Sequence, residues 1–276
     1  MKRLWRWTPL FVLLLAATVQ AQSEDQLQID WQMGPAIGDV GGIADIQIPQ
    51  GFVFADGEDT RTLMESMQNP VNGTEKGFIA PAEDDWFVVF EFDDVGYIKD
   101  DDKDSLDADA MLASIRKGTE IGNKEREKRG WPTMTILGWE KEPYYDAESH
   151  NLEWAIRGSS EGDVVVNYNT RLLGRGGVMR VTLVADPETL TATIPKFKDL
   201  LAGYAFKPGQ RYAEFRQGDK VAQYGLAALI VGGASAVAVK SGLLKYLWKI
   251  LIVGFVAISA FVKKVFGRKK GAPGRP

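Results

Sequence analysis

Asp163-Val164-Val165-Val166-Asn167-Tyr168-Asn169-Thr170-Arg171-Leu172-Leu173-Gly174-Arg175-Gly176-Gly177-Val178-Met179-Arg180-Val181-Thr182-Leu183-Val184-Ala185 reads as two extended segments around a glycine-rich turn. Its β-branched residues suit a pleated, half-buried surface, and residues 174–177 supply hairpin chemistry. Two more β-segments, residues 133–139 and 152–157, lie just upstream. Their linkers, Pro143-Tyr144-Tyr145-Asp146 and residues 158–162, carry turn residues. Strands this close together, with linkers this short, imply an antiparallel meander.

Working outward, residues 43–48 alternate apolar and polar before the Pro49-Gln50-Gly51 turn, and residues 52–54 continue as an extended piece. Leu63, Met64 and Met67 give residues 58–68 a helical spacing, with Asp59 or Thr60 as the cap. Residues 78–80 and 86–92 read as the next strands. A long helix capped by Asp104 or Ser105 runs to Arg129, with Met111, Leu112, Ile115 and Ile121 on its apolar side, and Gly130 ends it. A closing helix covers residues 187–202, with a break open at Pro195. The fold class is α+β: an antiparallel β-meander sheet flanked by helices.

Charge is strongly segregated along the 276 residues. Lys2, Arg3 and Arg6 carry +3 and the segment from Lys240 carries +9, so a formal net of −4 leaves −16 on the stretch between. Such an acidic body repels phosphate backbones, which speaks against a nucleic-acid partner. With no cysteine and one histidine, His150, the chain has no thiolate or histidine-rich metal chemistry available.

Residues 1–21 read as an export signal: a basic start, an apolar stretch over 9–19, and small residues at Val19 and Ala21 before cleavage. Residues 22–220 form the acidic domain, expected in the periplasm, and residues 221–262 an apolar helical anchor. The basic tail, 263–276, belongs in the cytoplasm under the positive-inside rule. One crossing over 242–262 satisfies both orientations, with Lys245 and Lys249 reaching toward the far interface. A hairpin through 221–262, turning at Lys240 to Lys249, is the rival. The expected location is the bacterial inner membrane.

Three constellations bear on chemistry. Asp93 and Asp94 open an acidic loop in which Asp100, Asp102 and Asp104 stand at the 1, 3, 5 spacing of a calcium loop. Ser105 then stands where the sharp turn wants Gly, and Met111 where a bidentate Glu is needed. That leaves a solvated helix-capping loop, a weak cation site or a recognition surface for a basic partner. Asn167, Asn169, Arg171 and Arg175 place amides and guanidinium groups around glycines, which suits a polar or anionic group as well as a plain hairpin. Tyr145 and Asp146 belong to an aromatic-rich middle with Trp139 and Trp154. The candidate binding set is therefore Asp93, Asp94, Tyr145, Asp146, Asn167, Asn169, Arg171 and Arg175, with Asp100, Asp102 and Asp104 as the candidate metal set. No catalytic set and no cofactor emerges.

The strings from Phe92 to Ile98, Leu137-Gly138-Trp139-Glu140, Leu152-Glu153-Trp154-Ala155, Asn167 to Gly177, and Tyr224 to Ile230 together resemble a bacterial family of uncharacterised membrane-anchored proteins with a domain of unknown function. The resemblance covers nearly all of the chain after the signal. It implies an envelope protein with a C-terminal anchor and brings no activity with it. The meander flanked by helices also looks like PsbP-type domains, an architectural likeness only. The expected function is a membrane-tethered binding or scaffolding module, held by lipid and engaging another envelope protein. Its rivals are a carboxylate-dependent periplasmic hydrolase and a weak cation-responsive sensor.

Overall fold

A computed structural model describes residues 27–101, 103, 106–147 and 149–231. The expected export signal, the 242–262 crossing and the basic tail lie outside the described residues. Among the described residues no helix is long and apolar enough to cross a membrane.

Eleven strands build two sheets among these residues: β1 (Gln32–Met33), β2 (Ala36–Val40), β3 (Ala44–Ile48), β4 (Phe52–Asp56), β5 (Glu75–Pro81), β6 (Trp86–Asp93), β7 (Thr135–Asp146), β8 (Asn151–Ser160), β9 (Asp163–Leu173), β10 (Val178–Ala185) and β11 (Tyr204–Phe206). The larger sheet runs β1-β4-β5-β6-β10-β9-β8-β7 and the smaller β11-β3-β2. Every pair of strands is antiparallel. The expected meander is β7 to β10, and its last strand docks on β6, which makes β10 central.

Four helices pack around the sheets: α1 (Gly57–Ser66), α2 (Ala108–Lys128), α3 (Leu190–Ala202) and α4 (Leu226–Ile230). On one face of the large sheet, Val88, Phe90, Tyr168, Val181 and Leu183 meet Ile46 and Ile48 of the small sheet and Phe197 and Leu200 of α3. The opposite face carries two separate apolar clusters. Leu63 and Met64 of α1 cover Phe78, Phe87, Val89, Val165 and Val184. Met111 and Ile115 of α2, with Leu226, Leu229 and Ile230 of α4, cover Leu152, Trp154, Ile156, Leu173 and Val178.

Several expectations shift. The α1 cap is Asp56, three residues before Asp59, because its carboxylate reaches the N–H groups of Glu58 and Asp59. Likewise Asp107 caps α2 through the Ala110 N–H, rather than Asp104 or Ser105. Residues 143–146, expected as a turn, stay within β7, whose three register shifts against β8 absorb Pro143. The linker expected over 158–162 shrinks to Glu161-Gly162, both with positive φ. Helix α3 runs through Pro195 unbroken. Of the small sheet, β3 matches the strand expected over 43–48, whereas β2 carries Gly38 in mid-strand, where a Cβ would stand 3.0 Å from the Phe54 ring. Beyond residue 220, Leu226, Leu229 and Ile230 are buried in the cluster under α2.

Candidate functional site

Strands β9 and β10 each run from one apolar cluster to the other, and what lies between is polar. On β10 the sequence of side chains facing α1 and α2 is Val178, Arg180, Thr182, Val184; on β9 it is Leu173, Arg171, Asn169, Asn167, Val165. Of these five intervening residues Arg180, Thr182, Arg171 and Asn167 are buried, and Asn169 is half-buried. Register then aligns them across the sheet: Leu152 opposite Arg171, Arg171 opposite Arg180, Arg180 opposite Glu91, Glu91 opposite Glu75. Two cations facing each other on neighbouring strands repel.

The two arginines are treated unequally. Arg180 donates to Glu91 Oε1 at 2.8 Å and to Thr74 Oγ1 at 3.0 Å. Its Nε lies 3.1 Å from Asp93 Oδ2, an ion pair without the alignment of a hydrogen bond. Arg171 has no carboxylate in contact. Its guanidinium lies 4.5 Å over the Trp154 ring, and its terminal nitrogens reach only the Thr170 carbonyl and Asn169 Oδ1, both at 3.4 Å. Its Nε–H is buried with no acceptor. Burial, with Arg180 beside it, pushes the Arg171 guanidinium down to about 9. Burial also raises the Glu91 carboxyl, against the opposing pull of Arg180. Glu75 is committed elsewhere, accepting from the N–H groups of Asn72 and Gly73 at 2.9 and 2.8 Å.

A second cluster gathers the loops at the β9–β10 turn. Tyr97 stacks on Tyr212 at 4.4 Å and meets Phe215 at 4.3 Å, while His150 lies 4.7 Å from Tyr212. The Tyr145 hydroxyl donates to Asp100 Oδ2 at 3.0 Å and lies 3.2 Å from His150 Nδ1. Burial raises the phenols of Tyr145 and Tyr212, with Asp100 adding to the effect at Tyr145. Backbone bonds knit the same loops: Gly96 N–H to Gly176 O, Tyr97 N–H to Lys220 O, and Ala222 N–H to Tyr97 O. These rings are half-buried or exposed, Phe215 most of all at 39%.

The candidate binding residues thus divide. Asp93, Asn167, Asn169 and Arg171 come together on the buried face. Tyr145 joins the ring cluster. Arg175 instead clamps Asp219, Asp94 is exposed beside Lys220, and Asp146 accepts from Ser149 in its own turn. Of the candidate metal ligands, Asp100 is held by Tyr145, while Asp102 and Asp104 lie outside the described residues. Among the described residues no group of three His, Asp or Glu is arranged to hold a metal.

Sequence reading missed Arg180, Glu91 and Trp154 as partners of Arg171, although Arg180 breaks an otherwise apolar strand and was visible as such. It also missed a triad on the other face, where Lys141, Glu153 and Tyr168 bond one another at 2.6–2.8 Å.

The chain belongs to the family described as "Protein of unknown function (DUF2167)", whose model matches residues 32–263. No curated protein matches. Among solved structures it is similar to cyanobacterial PsbP (CyanoP) from Synechocystis sp. PCC 6803, at 10% identity and a TM-score of 0.39, covering 66% of this chain and 94% of that one. It is also similar to the Ran-binding protein Mog1p of Saccharomyces cerevisiae, at 11% identity and a TM-score of 0.32, covering 67% of this chain and all of that one.

Proposed function

We propose that this DUF2167 protein is an envelope domain, exported and then tethered to the inner membrane by the apolar segment after residue 231, that binds another envelope protein rather than processing a substrate. The observation that carries the binding reading is the ring cluster of Tyr97, Tyr145, His150, Tyr212 and Phe215, gathered from the end of β7, the turn after it and two further segments, and left partly open to solvent. Tyrosine-rich surfaces of this kind offer large rigid contact area at low entropic cost, which is why they recur at protein interfaces. The tether reading is supported by charge: no carboxylate follows Asp219, and nine basic residues follow Val231.

A photo-crosslinking residue placed at Phe215 in intact cells is expected to trap a discrete protein partner, while the same probe at Leu137, on the far strand β7, traps none. Equal, diffuse labelling from both positions overturns the binding surface. A reporter active only outside the cytosol, fused after Val231, is expected to be active; silence there, with an active cytosolic reporter at the same junction, overturns the tether.

A further inference from the structure

We propose that the buried guanidinium of Arg171 is a receptor for a small carboxylate with an apolar body, bound against Trp154 between the two apolar clusters. The proposal rests on the β9–β10 row alone and is independent of the tether and of the ring cluster.

The argument begins with donors and acceptors. A guanidinium carries five N–H donors in a fixed fork. Arg171 is 7% exposed, two of its donors reach acceptors only at the outer limit of a hydrogen bond, and its Nε–H reaches none. The nearby carboxylates do not bond it, since both Glu91 and Asp93 contact Arg180, although their fields favour its charge. Leaving one cation of an opposed pair buried without a bonded anion is unfavourable, and a hydrophobic side chain of equal volume would be more stable there. Removal of that penalty by a ligand is the arrangement expected of a binding site.

The chemistry of the ligand follows from which part of Arg171 is still open. One face of the guanidinium is covered by the Trp154 ring, the unsatisfied Nε–H lies in its edge, and an N–H edge matches a planar carboxylate. Along β8 and β9 the flanking side chains are apolar: Trp154 and Ile156 on one side, Val165 on the other. Thr182 and Asn169 stand in the row as further polar contacts, 3.4 Å from each other. The row is not sealed, for the Asp93 side chain is 25% exposed and that of Glu91 16%. The acidic surroundings at Asp93 disfavour a multiply charged anion, which selects a monocarboxylate over phosphate.

The test is thermal unfolding of the full-length chain in detergent, with acetate, butyrate or hexanoate against sodium chloride at matched ionic strength. The midpoint is expected to rise with each carboxylate, with half-maximal effect at about fourfold lower concentration per added methylene. Hexanamide, inorganic phosphate and chloride are expected to give no rise. Arg171→Met is expected to unfold at the same temperature or higher without ligand, and to lose the response. An unresponsive wild type means that ordered water alone satisfies Arg171 and overturns the proposal, as does a response that survives in Arg171→Met. A response to phosphate equal to that to acetate overturns the carboxylate class. Should Arg171→Met not fold, the Nε–H resonances of 15N-arginine-labelled wild type decide: one must shift on adding hexanoate and stay put on adding hexanamide.

Discussion

Arg175 donates two hydrogen bonds to Asp219, of 2.7 and 2.8 Å, across 44 residues of chain. Neither partner touches the buried row that their neighbours on β9 build. Together with the bond from the Arg175 N–H to Gln210 O, the pair fastens the arm of residues 207–222 to the β9–β10 turn. The Arg175 guanidinium, joined by the Arg216 N–H, holds the Asp219 carboxyl down to about 2, from an ordinary value of 3.8. A depressed carboxyl contributes stability that is complete above its ordinary range and is lost as pH falls through the folded value. Amide exchange over residues 209–222 is therefore expected to quicken between pH 4 and pH 2 in the wild type. In Arg175→Met it should be fast already at pH 5, with little further change on acidification. Equal exchange in the two proteins at pH 5 counts against the clamp.

Gly96 makes the same arm depend on a backbone position. It has φ of +93°, and a Cβ there would stand 2.5 Å from the Lys220 carbonyl oxygen, the group that accepts from Tyr97 N–H. Gly96→Ala meets both the left-handed penalty and a backbone clash, so strand-like pairing of Tyr97 with Val221 cannot persist. A loss of about 2–4 kcal/mol is expected, read from urea unfolding. Protease cleavage should appear between residues 207 and 225 before the sheet opens. Cleavage elsewhere first would show that the arm is not the part Gly96 secures.

Asp56→Ala tests the local chemistry at the start of α1. The Asp56 carboxylate accepts from two otherwise orphaned N–H groups, at 2.8 and 3.0 Å, and sits at the positive end of the helix dipole. The substitution is expected to cost about 1 kcal/mol. Asp59→Ala, the cap expected from sequence, is expected to cost less, since its carboxylate bonds only the Asp30 N–H. The reverse ranking in chemical denaturation would mean that the helix begins where the sequence suggested.

The meander from β7 to β10 was legible because its signals are local: β-branched runs, glycine turns and short spacing. Docking of β10 on β6 was not, since partners such as Trp86 and Ala185 stand 99 positions apart and leave no local trace of pairing. Both helix caps were placed three residues off because several acidic residues compete at each start, and only backbone geometry chooses among them. For the site, Arg171 and Asn169 could be named from composition, yet their role depends on Arg180, Glu91 and Trp154, which register alone brings beside them. The calcium-like spacing at Asp100 was a pattern without its glycine and glutamate, and in the fold Asp100 accepts a tyrosine hydroxyl.

Tyr168, 2% exposed, joins the core on one side to a charged pair on the other. Its hydroxyl donates to Glu153 Oε2 at 2.6 Å and accepts from Lys141 at 2.8 Å, and Lys141 also bonds Glu153 at 2.8 Å. Burial and the Glu153 carboxylate push the Tyr168 phenol up to about 12, so it remains a donor throughout the ordinary pH range. For Glu153 burial pulls upward, but the bonds from Lys141 and Tyr168 prevail and hold its carboxyl below 4.5. Its contribution is accordingly present above pH 4.5 and lost as pH falls through the lower folded value. Tyr168→Phe removes the bond to Glu153 and the bond from Lys141 while leaving the ring in place, at a cost of about 1–2 kcal/mol at pH 7. That difference from wild type is expected to be smaller at pH 3 than at pH 7, since acid favours the protonated Glu153 that no longer draws on the hydroxyl. Urea unfolding at the two pH values decides, and a difference that stays constant would assign the loss to ring packing rather than to the carboxylate.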